Sequence, residues 1–156
     1  MSDRTFVHLE SFPVTGILAR TSNAREATSD GAIGKIWARF IREGLAEKIP
    51  HRVSSDPMAF YSNYASDEHG EYDFLLGARV TAVSIPLPDG MVVRNTPASR
   101  FAVFEADTGP PPKVVPELWR KIWAEPRTPE YARSYRGDFE LYRAGAPAKI
   151  YIAVTA

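Results

Sequence analysis

Ile33-Gly34-Lys35-Ile36-Trp37-Ala38-Arg39-Phe40-Ile41 is the stretch on which the fold turns. Ile33, Ile36, Trp37, Phe40 and Ile41 fall at i, i+3, i+4, i+7 and i+8. That spacing predicts one apolar helix face, with Arg39, Arg42 and Glu43 outside it. Gly44 predicts the stop, and Thr28, Ser29 or Asp30 offers a cap at the start. Part of the stretch recurs as Lys121-Ile122-Trp123-Ala124, where Val115, Leu118, Trp119, Ile122 and Trp123 predict a second helix. Pro116 suits the first turn of that helix. Gly109-Pro110-Pro111-Pro112 before it predicts a stiff connector.

The flanking segments alternate or run apolar between turn residues. Residues 5 to 9 and 14 to 20 predict strands broken at Pro13. Residues 58 to 64 and 72 to 84 predict a hairpin around Gly70. After a midpoint turn at Pro86, Pro88, Asp89 and Gly90 come strands at 91 to 94 and 100 to 106, on either side of Pro97. Residues 138 to 143 and 148 to 155 predict the last two strands. The order strand–helix–strand–strand thus appears twice. The expected class is α+β: tandem duplicated β-α-β-β modules, about 1–85 and 86–156, with antiparallel sheets and two main helices. Neither module has enough volume for its surface alone, so one domain sharing a core is expected.

Composition narrows the function. A chain of 156 residues, 44% apolar and 24% charged, can bury about 70% of its unfolded surface without staples. Nineteen basic residues balance nineteen acidic ones, so the basic excess of a nucleic-acid binder or of a polybasic membrane anchor is missing. The chain has no cysteine, which excludes disulfides, thiolate metal sites and cysteine nucleophiles, and suits a reducing cytoplasm. Met1 to Thr5 lack the start of a signal peptide, and no apolar run approaches a membrane span. His8, His51 and His69 lack metal-ligand spacing. Gly31-Ala32-Ile33-Gly34-Lys35 has two residues between its glycines, not the four of a phosphate loop, and Ile36 follows where Ser or Thr is needed. Aromatic residues, 12% of the chain, suit either a core or a pocket for a flat ligand.

Asp138-Phe139-Glu140-Leu141-Tyr142-Arg143 alternates with period two. Phe139 and Leu141 point one way, and Asp138, Glu140 and Tyr142 the other. Two readings stay open. The strand has a solvated polar face, or Glu140 faces a groove, poorly solvated and with a raised pKa. A carboxylate among rings would bind planar cations by Coulomb and cation–π attraction. Phe60 and Tyr61 face opposite sides of their strand, and Tyr64 shares the parity of Phe60.

The run Tyr61-Ser62-Asn63-Tyr64-Ala65-Ser66-Asp67-Glu68-His69-Gly70-Glu71-Tyr72-Asp73-Phe74, followed by Leu75-Leu76-Gly77, resembles a segment of the GyrI-like small-molecule-binding proteins. So do Gly16 to Thr21, Trp119-Arg120-Lys121-Ile122-Trp123, Asp138 to Tyr142 and Ile150-Tyr151-Ile152. Their order spans nearly the whole chain. That family includes the effector-binding domains of AraC-type and multidrug-sensing transcription regulators. The resemblance implies paired strand–helix–strand–strand modules around a central groove. It also implies an acidic residue among aromatics that meets cationic ligands, matched here by Glu140. Trp37, Tyr61, Phe101 and Trp119 are the candidate walls. A chain this short has no room for a DNA-binding domain, so a stand-alone binder of a small molecule is expected, without cofactor, metal, membrane or direct nucleic-acid contact. Some stand-alone members are similar to hydrolases of activated or cyclopropane-bearing electrophiles. Glu140 would then direct water and Tyr142 would donate to the developing anion. Gyrase-inhibitor-like members imply instead a protein partner.

Overall fold

A computed structural model describes residues 5–155; the reading of Met1 to Arg4 lies outside it. The elements are β1 (Thr5–Leu9), β2 (Pro13–Ser22), α1 (Asn23–Glu26), α2 (Ile33–Arg42), α3 (Leu45–Lys48), β3 (Met58–Ser62), β4 (Glu71–Arg79), β5 (Val92–Asn95), β6 (Ser99–Glu105), α4 (Pro111–Ala124), β7 (Asp138–Leu141) and β8 (Lys149–Val154). The class is α+β, as the sequence predicts. The strands form one continuous antiparallel sheet in the order β1-β6-β8-β7-β3-β4-β2-β5. Separate sheets do not form because β3 and β7 pair at the centre, with Phe60 opposite Phe139 and Ala59 opposite Glu140.

Strand alternation sorts the core onto two faces. The helices cover one face. Phe40 of α2 packs with Ile17, Tyr61, Phe74 and Leu76 of the strands. Val115, Leu118 and Ile122 of α4 pack with Phe104, Ile150 and Ile152 of the strands. Each side chain of this kind, fully buried, contributes about 1.5–3 kcal/mol. Trp119 and Tyr142 pack against both groups and so join them. The other face closes on Phe12, Val14, Phe60, Leu75, Phe101 and Phe139. Gly16 stands opposite Gly77, and a Cβ on Gly77 would lie 1.8 Å from the Thr15 carbonyl oxygen. Only glycine admits that backbone approach.

Several boundaries differ from the sequence expectation. Helix α2 is capped from outside its own start: the Glu26 carboxylate accepts the Ala32 and Ile33 amides at 2.7 and 3.0 Å, and Thr21 Oγ1 donates to it at 2.6 Å. Thr28, Ser29 and Asp30 do not cap it; the helix follows Ala32, which gives no side-chain bond. Helix α4 begins at Pro111, within the expected connector. Pro111 and Pro112 fill the first turn, where an amide has no intrahelical acceptor, and the Val114 amide reaches the Pro110 carbonyl. Pro116 is therefore interior, not in the first turn. Strand β4 ends at Arg79, not Ser84; beyond it Val80 makes an isolated bridge to Arg52. Among the described residues no helix is long and apolar enough to cross a membrane.

Candidate functional site

Helices α2 and α4 lie side by side over the same face of the sheet, and a cavity of about 1010 Å³ is bounded by both helices and the strands beneath. Trp37 comes from α2 and Trp119 from α4, while Tyr61, Glu140 and Tyr142 come from the sheet side. The rings pack edge to face: Trp37 on Tyr142 with centroids 5.0 Å apart, and Tyr61 on Trp119 at 5.2 Å. Ile41 and Trp123, 72% and 41% exposed, also line the cavity and therefore stand at its mouth.

Period two along β7 turns Phe139 to the far face and Glu140 to the helical face. Glu140 is 3% exposed. Its Oε2 accepts Tyr61 Oη at 2.7 Å and Trp119 Nε1 at 2.6 Å, and its Oε1 accepts Tyr142 Oη at 2.5 Å. All three donors are neutral, and among the described residues no lysine or arginine pairs with this carboxylate. Burial raises its pKa above the ordinary glutamate value, and the bonds from Tyr142, Trp119 and Tyr61 pull the other way without cancelling that effect. Burial, and then the charge of Glu140, drives the Tyr61 and Tyr142 phenols upward, which keeps both as donors.

A second polar group lies two residues back on the same face. Asp138 is fully buried, and its Oδ2 accepts Tyr64 Oη at 2.5 Å and Arg133 Nη2 at 2.8 Å. Its Oδ1 accepts the Ala153 amide at 2.8 Å. Burial alone would lower the pKa of Arg133, but Asp138 outweighs it and keeps the guanidinium charged. Nearer the surface, Glu68 accepts Tyr135 Oη, and Arg127 Nη2 at 3.2 Å. Burial opposes its charge, yet the Tyr135 bond and the nearby arginines hold its pKa below the usual value. Tyr64, Glu68 and Arg133 all line the cavity.

Of the predicted site residues, Glu140, Tyr142, Trp37, Tyr61 and Trp119 come together at this cavity. Phe101 does not. It packs on the far face of the sheet against Phe139 and Tyr151, because Ala102, one residue on, takes the helical face. Tyr64 faces the cavity with Tyr61 instead of sharing the side of Phe60. The left-handed φ of +52° at Asn63 ends the alternation of β3 and turns the next side chain over. His8, His51 and His69 are exposed. Sequence reasoning missed Tyr64, Glu68 and Arg133; the one available signal was that Asp138, the partner of Arg133, shares the parity of Glu140.

A family model described as integron-associated effector binding protein matches residues 5–154. The Bacillus subtilis protein YobU, whose name classes it with transcriptional regulators, is 31% identical over 154 residues, covering 94% of this chain and 94% of its own. The crystal structure of the integron cassette protein VCH_CASS2 from Vibrio cholerae superposes with a TM-score of 0.82 at 29% identity, covering 97% of this chain and 95% of that one. SAV2435, solved bound to tetraphenylphosphonium, superposes with a TM-score of 0.73 at 19% identity, covering 99% and 94%. At that identity the last likeness concerns the fold alone.

Proposed function

The chain belongs to the integron-associated effector binding protein family, and from that premise we propose that its cavity holds an aromatic, cationic small molecule with Glu140 as the charge anchor. The observation that carries this reading is the Glu140 carboxylate, buried and held by three neutral donors with no cationic partner among the described residues. A positive ligand supplies the missing charge in a medium where Coulomb attraction is strong, and the surrounding rings add cation–π attraction. The α2–α4 arrangement also supports reading the chain as one domain of two repeats, about 1–85 and 86–156. In that reading β1, β2, α2, β3, β4 correspond to β5, β6, α4, β7, β8, and the cavity lies where the repeats meet.

The test is a fluorescence titration with tetraphenylphosphonium, which quenches nearby tryptophans on binding. Glu140→Gln weakens binding by roughly 5- to 150-fold, the equivalent of about 1–3 kcal/mol for a charged partner. Equal affinity of the two forms refutes the anchor. A second reading, hydrolysis of an activated electrophile, is favoured by the raised Glu140 carboxyl beside the Tyr142 hydroxyl, a base next to an anion-stabilising donor. It requires consumption of substrate that Glu140→Gln abolishes; binding without consumption leaves the first reading. A role in inhibiting a protein partner would be indifferent to Glu140→Gln.

A further inference from the structure

We propose that the mouth of the cavity is a two-ended slot that selects cations carrying apolar groups on opposite sides of the charge, with Ile41 and Trp123 as the residues that read its two ends. The inference rests on the reading of Glu140 as the cation site and adds to it the shape of the ligand.

Each helix lends the cavity a stripe at i, i+4 and i+8: Ile33, Trp37 and Ile41 from α2, and Val115, Trp119 and Trp123 from α4. Residues so spaced lie one above another on a single helix face. The two stripes run in opposite directions. Glu26 holds the first amides of α2, and Asn23 of the same short helix donates to the Glu68 carbonyl at 2.9 Å. Arg127, just past the end of α4, donates to the Glu68 carboxylate at 3.2 Å. Helix α2 therefore starts where α4 ends, and Ile41 and Trp123 stand at opposite ends of the slot.

The charge sits between them. Glu140 accepts Trp119 Nε1 at 2.6 Å and also Tyr142 Oη, and the Tyr142 ring packs on Trp37. Trp37 and Trp119 are the middle rungs of their stripes. At about 1.5 Å of rise per residue, each outer rung lies about 6 Å along the helix from the middle one, which is the reach of a benzyl group. Ile41 is 72% exposed and Trp123 41%. Single apolar side chains in water are ordinary on a surface. These two are different, because they continue a lined cavity outward in both directions from one carboxylate. A cation with all its apolar bulk on one side covers one of them. A cation with an apolar group on each side covers both and keeps its charge at Glu140.

Two isomeric ions of equal charge separate these cases: dibenzyldimethylammonium, with a ring on each side of nitrogen, and (4-phenylbenzyl)trimethylammonium, with both rings on one side. Isothermal titration calorimetry is read on the full chain. The native chain is expected to bind the first ion about tenfold tighter than the second, the effect of covering roughly 55 Å² more apolar surface. Ile41→Ser and Trp123→Ser each reduce that preference, and the double substitution abolishes it. Equal binding of the two ions by the native chain, or tighter binding of the second, overturns the proposal whether or not the variants fold, as does a preference that survives the double substitution. In these cases the Glu140 reading stands. A native dimer in sedimentation velocity that Ile41→Ser or Trp123→Ser dissociates would assign the exposed pair to a second copy of the chain and also overturns the proposal. Binding of neither ion overturns the cation site and this proposal together.

Discussion

Glu140 combines burial, charge and the lack of a cationic partner among the described residues, and that combination is a cost to the folded state. Its raised pKa means that the folded chain holds the proton more tightly than the unfolded one. The stability this contributes is fully present below the ordinary glutamate pKa and is lost as pH rises through the raised value. Glu140→Gln removes the titration. The substituted chain is therefore expected to melt at or above the native temperature at pH 8, with the native chain gaining on it as pH falls. Melting followed by circular dichroism between pH 4 and pH 8 checks this, and a substitution penalty that grows with pH refutes it. The same exchange that weakens the ligand site would thus stabilise the fold, a trade-off common at functional residues. The inward turn of Glu140 was one of two outcomes legible in the alternation of β7. Phe101 was not decidable, because alternation in β6 fixes only that Phe101 and Ala102 oppose each other, not which meets the helices. Arg133 lies in irregular chain between α4 and β7, where no period exists to place it.

Elements were readable where one period governed them. Helix α2 emerged from its apolar spacing, while its cap did not, because Glu26 reaches it from α1 across a loop. Helix α4 was placed too late, because a run of prolines reads as a break although two of them sit comfortably in a first turn. Strand β3 shows how one residue redirects an element. Asn63, at φ +52°, ends the alternation and delivers Tyr64 to Asp138. A β-branched residue tolerates that conformation poorly, whereas glycine adopts it freely. Asn63→Val is expected to lower stability by about 1–2 kcal/mol and Asn63→Gly by less, measured by urea denaturation. Equal losses would mean that the amide bond from Asn63 to Asp73 (3.2 Å) matters more than the backbone.

At the scale of the molecule, the α+β class and the antiparallel pairing were legible but the order of the strands was not. Local sequence does not specify that β1 pairs with β6 from the far half or that β5 pairs with β2 from the near half. Each half thus gives its first strand to the other, and the β3–β7 ladder crosses the join. Fragments 1–88 and 89–156 are therefore expected to be unfolded when separate and to regain strand signal in circular dichroism when mixed; independent folding of either would refute the shared core. The exchange also sets what lies at the two rims of the sheet. The outermost strands are only five and four residues long, and Pro13 and Pro97 follow soon after each of them. A rim so short gives a neighbouring molecule few bare amides and carbonyls to extend, so the broad sheet is protected against stacking into fibrils at its margins.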